Sequence, residues 1–104
     1  MPDFDIGTDA FHTPDPVGKG VSAEAKRLGF RAQFNSPYGG SIVPMKFYQK
    51  DRRVISVMIE ANRKLYMDLN TMQKTAGFER TRIACNRLMY AAAYAAEQYF
   101  GSVL

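Results

Sequence analysis

The stretch VISVMIEANRKLYMDLNTMQK, residues 54–74, decides the fold that the sequence predicts. Plotted at 100° per residue, nine of its apolar side chains, between Val54 and Met72, fall within one arc of about 160°, and Asn62 is the only polar residue among them. Charged and small polar residues fill the opposite side. Pro44 suits a first helical turn, and Gly77 suits the position after a last one. We therefore expect an amphipathic α-helix over about residues 46–74.

A second helix is predicted downstream, over about residues 79–100. Small apolar residues recur there at spacings of three and four, from Ala84 to Tyr99, and Gly101 follows as a terminator. Because only a short loop separates this helix from the first, the two are expected to pack antiparallel. Residues 45–104 are accordingly predicted to form a helical hairpin.

Residues 1–44 have a different composition, because they hold all five prolines and six of the eight glycines. We expect an extended, irregular N-terminal arm with one short helix over about residues 22–28, where Ser22 suits an N-cap and Gly29 follows the last turn. The alternation in residues 30–34 is compatible with a strand. The predicted fold is thus mainly α, a helical hairpin preceded by the arm.

Length and charge set outer limits on the protein. The 104 residues allow one small domain, and the net charge of +4 divides into −1 for the arm and +5 for residues 45–104. A single cysteine excludes an intrachain disulfide and a cysteine-based zinc site. No targeting segment is evident, and the longest uncharged apolar stretch of the second half is too short to span a bilayer. We expect a soluble protein of a reducing intracellular compartment, or of a particle assembled there.

The familiar catalytic and ligand motifs are incomplete. Gly18-Lys19-Gly20 lacks the other residues of a phosphate loop, and the spacing of the N-terminal aspartates does not fit a calcium loop. His12 and Cys85 are the only residues of their types, and no third group is identifiable that would orient them as a catalytic pair. We interpret Cys85 as a small buried side chain and His12 as a surface or contact residue. No catalytic residue, cofactor or metal ligand is predicted, and an enzyme acting alone is disfavoured.

A mixed tyrosine and arginine face on the second helix is the main candidate binding surface. Tyrosine and arginine dominate binding hot spots when they are desolvated. The alternative is that the arginines form ordinary surface ion pairs and that the tyrosines lie half-buried against the arm. Three aromatic residues spaced along the arm are candidate anchors. The predicted partner-binding residues are Arg80, Arg87, Tyr90, Tyr94 and Gln98 on the helix, and Phe4, Phe11 and Tyr38 in the arm.

Basic residues also recur along the first predicted helix. Arg52, Arg63 and Lys74 are spaced by 11 residues, which on a helix makes a straight positive stripe and a candidate nucleic-acid contact. The adjoining Glu60, Lys64 and Asp68 favour the alternative, a salt-bridged face in contact with solvent.

One short segment has a known counterpart. Residues 73–80, QKTAGFER, resemble a short stretch of the rod linker proteins of phycobilisomes, but the bulk of that domain is missing and no property is transferred.

These observations favour a non-catalytic structural or adaptor subunit of a larger assembly, such as a virion, an organellar complex or a multisubunit enzyme. Its partners would be other protein chains, in a homo-oligomer or a large hetero-assembly. The alternative is a nucleic-acid-binding protein that uses the basic face of residues 52–87. An accessory subunit that regulates an enzyme is a third hypothesis.

Overall fold

The computed structural model describes residues 1–103 and contains a three-stranded sheet packed against two helices. The sheet order is β2-β1-β3, in which β2 is parallel to β1 and β3 is antiparallel to it. The elements along the chain are β1 (Phe4–Gly7), α1 (Asp15–Arg27), β2 (Ala32–Phe34), β3 (Met58–Ala61), a 3-10 turn (Arg63–Leu65) and α2 (Phe78–Val103).

The core lies between the helices and one face of β1. Phe4 and Ile6 alternate with Asp5 along this strand, so both apolar side chains face the helices, and both are fully buried. Phe4 meets the ring of Phe30 edge to face, with 5.1 Å between centroids. Val21 and Ala25 of α1 and Ala84 and Leu88 of α2 complete the buried cluster.

The two helices are antiparallel neighbours. A Cβ placed on Gly20, in the first half of α1, would lie 3.3 Å from the Cβ of Ala95 in the second half of α2. At the opposite end, the Arg80 guanidinium donates to the carbonyl oxygen of Leu28 at 3.4 Å. Small residues where the helices meet allow this close approach.

The predicted mainly-α fold is wrong, because residues 1–103 contain a mixed three-stranded sheet and no hairpin of the two predicted helices. Residues 46–74 form loops, β3 and the 3-10 turn instead of a helix. A helix does cover residues 79–100 as part of α2, but its antiparallel neighbour is α1. The expected arm supplies two of the three strands, and the short helix predicted over residues 22–28 is the second half of the longer α1.

The helical period assigned to residues 54–74 gave the wrong secondary structure for a physical reason. Val57, Ile59 and Ala61 pack against the core, while Glu60 alternates with them on the other face of β3. This is the two-residue period of a strand, which β-branched residues favour. Asn62, the polar residue that interrupts the helical arc, accepts a hydrogen bond from the Lys64 amide at 3.1 Å and caps the 3-10 turn.

Within residues 1–103, no helix is both long and apolar enough to cross a membrane.

The connection between β2 and β3 is long, and a buried histidine holds part of it. His12 is fully buried, donates from Nδ1 to the carbonyl oxygen of Val54 at 2.7 Å and accepts the Gln49 amide at Nε2 at 2.9 Å. Because both ring nitrogens are engaged, His12 fixes the loop before β3 to the segment after β1.

Candidate active site

Two carboxylates face each other on the sheet face opposite the core. Asp5 of β1 is directly paired with Glu60 of β3 in the antiparallel register, so both side chains project from the same face. Cβ atoms of such a pair lie about 5 Å apart. They open into a cleft of about 290 Å³, here called the acidic cleft. Its lining residues are Met1, Pro2, Asp5, Pro37, Tyr38, Glu60, Ala61, Asn62, Arg63 and Leu69.

Asp5 is the structural member of this pair. It is only 4% exposed, and its two oxygens accept the Ser36 amide at 2.8 Å and the Tyr38 amide at 3.0 Å. A carboxylate buried with two backbone N–H donors is well compensated, because charge-assisted hydrogen bonds offset its desolvation. Asp5 therefore fixes the loop after β2 as one wall of the cleft.

Glu60 is the unengaged member. Within residues 1–103 its carboxylate forms no hydrogen bond and no ion pair, although the residue is half-buried. A carboxylate that is partly screened from water and free of partners can accept a proton from a bound molecule. The cleft geometry makes Glu60 its candidate base.

Arg63 supplies the positive charge of the acidic cleft. It is exposed at the start of the 3-10 turn and has no ion-pair partner among the described residues. Its backbone is held in place because the adjacent Asn62 amide donates to the Asp3 carbonyl oxygen at 2.8 Å. An unpaired guanidinium that lines the same cleft as two carboxylates can bind an anionic group.

Two other concavities are lined by different groups. The larger, about 1110 Å³, lies between α1 and α2 and is lined by alanines, tyrosines and arginines, and its one acid, Glu24, is already hydrogen-bonded to Arg27. The other, of about 430 Å³, contains Asp9, whose Oδ1 accepts the amides of Phe11 and His12, together with the exposed Asp15 and Lys19. We take the acidic cleft as the candidate site because, of these three concavities, it holds a half-buried carboxylate without a hydrogen-bond partner, that of Glu60.

The remaining candidate groups are occupied or inert. The sequence interpretation of His12 as a surface or contact residue is wrong, because both of its nitrogens are used inside the fold. Cys85 is partly buried on α2, and burial raises the pKa of its thiol, so it is a poor nucleophile at neutral pH. Residues 1–103 contain no group of three or more His, Cys, Asp or Glu residues that could hold a metal ion.

The predicted partner residues lie in several different environments. Phe4 is fully buried, where no partner can reach it, whereas Tyr38 is 61% exposed at the rim of the acidic cleft. Phe11 is half-buried beneath the Arg52 guanidinium, which lies 4.0 Å from its ring centroid. Arg80 stacks in the same way on Phe30, at 4.1 Å. The other four, Arg87, Tyr90, Tyr94 and Gln98, are exposed together on α2 and line the groove between the helices.

The predicted basic stripe depended on a helix that the fold does not contain. Arg52 is engaged with Phe11, and Lys74 lies 4.3 Å from the centroid of the Phe78 ring. Only Arg63 of the three lines a described cavity. The 11-residue spacing therefore has no helical meaning here.

Comparison with known proteins assigns the chain to a family. The model of the family described as N-formylglutamate amidohydrolase matches residues 1–67. The chain belongs to this family. The matched segment includes Asp5, Glu60 and Arg63, so the N-formylglutamate amidohydrolase family pattern spans the whole acidic cleft except Leu69.

A solved structure shows the same fold. The crystal structure of N-formylglutamate amidohydrolase from Ralstonia eutropha JMP134 aligns with 97% of this chain at a TM-score of 0.70 and 24% sequence identity. The alignment covers 36% of that protein, so the chain spans about a third of the length of the structure it matches. No curated protein matches the chain in sequence.

Family membership corrects the predicted function. A non-catalytic structural or adaptor subunit, the alternative of a nucleic-acid-binding protein, and the absence of enzymatic activity all disagree with a family of amidohydrolases. The similarity of residues 73–80 to rod linker proteins has no counterpart in the family match, which ends at residue 67.

The sequence interpretation missed both carboxylates. In the predicted fold Asp5 lies in the irregular N-terminal arm and Glu60 on the solvent side of a helix, so the prediction does not bring the two together. The available signals were local: the alternation of Phe4, Asp5 and Ile6, and the alternation of Ile59, Glu60 and Ala61. Two such strands, each with one acidic residue between apolar neighbours, would have placed both carboxylates on the sheet face away from the core, although alternation alone does not predict that the strands are neighbours.

Proposed function

We propose that this chain carries catalytic residues for hydrolysis of the formamide bond of an N-formyl amino acid, with N-formylglutamate as the first substrate to test. The single observation that supports the proposal is that the family match spans the elements that bring Asp5, Glu60 and Arg63 into one cleft. The reaction consumes water and releases formate and a free amino acid.

Glu60 is assigned the role of general base. Its carboxylate accepts a proton from water while the water oxygen attacks the formyl carbon, which forms a tetrahedral intermediate with a negative oxygen. Collapse of the intermediate breaks the C–N bond, and the departing nitrogen takes the proton back from Glu60. The half-burial of Glu60 and its lack of other partners suit a group that must change protonation state twice in each cycle.

Arg63 is assigned to bind the substrate carboxylate. Asp5 and Glu60 give the cleft two negative charges, so an anionic substrate needs a local cation to enter it. Arg63 carries the basic side chain among the lining residues and has no competing ion pair within residues 1–103. Bidentate binding of a carboxylate would orient the formyl end toward Glu60.

Glu60→Gln tests the base directly. The full 104-residue chain is incubated with N-formyl-L-glutamate, and formate release is followed by the loss of the formyl proton signal in NMR. Removing a positioned general base typically lowers the rate by a factor of about 10² to 10⁴. Glu79→Gln is the matched control, because it makes the same change at an exposed glutamate on α2. No turnover by the parent chain, or full turnover by Glu60→Gln, would contradict the proposal.

Arg63→Ala separates binding from chemistry. Loss of the carboxylate contact should raise KM by about 10-fold or more with a smaller effect on kcat, since the contact is present in both the ground state and the transition state. Arg63→Lys should recover part of the affinity. An unchanged KM in Arg63→Ala would remove Arg63 from the site.

A further inference from the structure

A row of six residues runs along the outer side of α2. Their spacings are four, three, four, three and four, which is the spacing of a coiled-coil seam. All six are exposed. Among them are three large hydrophobic or aromatic side chains: Ile83 is 49%, Tyr90 75% and Tyr94 66% exposed. The members of this α2 row are Ile83, Arg87, Tyr90, Tyr94, Glu97 and Gly101.

The α2 row is unusual for a solvent-facing helix side. A surface helix normally presents charged and polar residues outward, whereas here two exposed tyrosines occupy the centre of the row and an exposed isoleucine begins it. Aromatic residues with one polar atom are typical of interface cores. Tyr90 and Tyr94 also line the groove of about 1110 Å³ beside α1, so a helix docked on the row would contact both helices.

The order of residues in the row makes it complementary to itself. The row is symmetric about position 92, so antiparallel pairing of two α2 helices places Arg87 opposite Glu97, Tyr90 opposite Tyr94 and Ile83 opposite Gly101. Each charged pair occurs twice across a two-fold axis. Parallel pairing would instead oppose Arg87 to Arg87 and Glu97 to Glu97, which repel.

The two charges of the row are free to make these contacts. Among the described residues, neither Arg87 nor Glu97 forms an ion pair within 4 Å. The carboxylate of Glu24 on α1 is hydrogen-bonded to Arg27, and this bond is the main reason that the pKa of Glu24 is lowered. The positive charge of Arg87 also lowers the pKa of Glu24, but to a smaller extent.

We propose that a second copy of this chain docks on the α2 row, as an antiparallel two-fold pair of α2 helices. The interaction is independent of the hydrolytic proposal, because the row lies on the helices and the acidic cleft on the far face of the sheet. Stable interfaces bury roughly 1,200–2,000 Å², and one pair of helices is a small interface by that standard, so we expect a dimer that dissociates on dilution, with a Kd of roughly 10–100 μM.

Charge reversal with rescue tests the proposal by sedimentation equilibrium. The parent chain should be a dimer at high concentration, of twice the 11.7 kDa chain mass. Arg87→Glu should raise Kd by about 10-fold or more, and so should Glu97→Arg, because each creates two like-charge pairs. The double variant R87E/E97R restores both pairs and the net charge, and should return Kd to within about 3-fold of the parent value.

Lys26→Glu is the matched control. It changes the net charge as Arg87→Glu does, at an exposed position of α1 that does not line the groove, and should leave Kd within about 2-fold. A parent chain that is monomeric at about 1 mM would overturn the proposal. So would a dimer that Arg87→Glu does not weaken, or a double variant that stays weak, since either places the interface elsewhere or in another register.

Discussion

Replacing Asp5 measures how firmly the wall of the acidic cleft is held. Asp5→Ala removes the acceptor of two backbone amides, those of Ser36 and Tyr38. A hydrogen bond to a charged group contributes about 1.5–3 kcal/mol, and the loop can partly rehydrate, so we expect a loss of about 3 kcal/mol in the free energy of unfolding. Asp5→Asn keeps one acceptor oxygen and turns an N–H donor toward the other amide, which should cost about 1.5 kcal/mol.

The repulsion between Asp5 and Glu60, which either substitution relieves, has to be subtracted from this loss of stability. Asp5 lies directly opposite Glu60, and like charges in a cross-strand pair destabilise by about 0.2–1 kcal/mol. Either substitution relieves this repulsion, but the relief is smaller than the loss of charge-assisted hydrogen bonds. The net change should remain destabilising, with Asp5→Ala worse than Asp5→Asn.

Urea denaturation and amide hydrogen exchange measure the effect together. In a domain of this size, 1 kcal/mol corresponds to about 4–8 °C in Tm, so a net loss of about 2–2.8 kcal/mol should lower the Tm of Asp5→Ala by at least about 8 °C. Exchange at Ser36 and Tyr38 should accelerate more than at Leu88 in the core. Asp15→Asn, at an exposed aspartate in the first turn of α1, should change stability by less than about 1 kcal/mol. A loss below about 0.5 kcal/mol in Asp5→Asn, with unchanged exchange at both amides, would refute the reasoning.

Three other substitutions or reactions test the fold around the site. His12→Ala should lower the free energy of unfolding by about 3 kcal/mol in urea, because it leaves a cavity and two unpaired backbone groups; a loss below about 1 kcal/mol would contradict the bridging role. Gly7→Ala should cost about 1–3 kcal/mol by calorimetry, because the added Cβ would overlap the Gly40 carbonyl oxygen and lie 2.6 Å from Cε of Met58; an unchanged Tm would show that the loop yields freely. Cys85 should react more slowly with a thiol reagent at pH 8 in the native chain than in urea, since burial raises the pKa of its thiol and less thiolate is present below that pKa; equal rates would contradict this.

The helix α2 illustrates what the sequence predicts well. Its small residues recur with helical spacing, and Glu79 occurs in the first turn, so local propensity and pattern agree with the observed helix over Phe78–Val103. Local information is sufficient there because a long helix satisfies its own backbone hydrogen bonds.

The segment around β3 shows why the rest was not predictable in the same way. Its backbone partners are in β1, more than 50 residues earlier in the chain, and no local signal in residues 54–74 reveals them. A two-residue alternation over four residues is too short to outweigh an apparent helical arc over 21. The arm was misjudged for the same reason, since β1 is a four-residue strand whose pairing with β2 and β3 is long-range.

The acidic cleft contains a pair of like charges that stability alone does not explain. Two carboxylates directly opposite on neighbouring strands repel each other, and a sequence selected only for stability would place a neutral or basic residue at one of them. Asp5 is explained by the amides it accepts, but within residues 1–103 nothing in the fold uses the Glu60 carboxylate. Local rules are broken most often where function requires it. The unused carboxylate, with the unpaired Arg63 beside it, is therefore stronger evidence for a reacting site than the larger and better-formed groove between the helices.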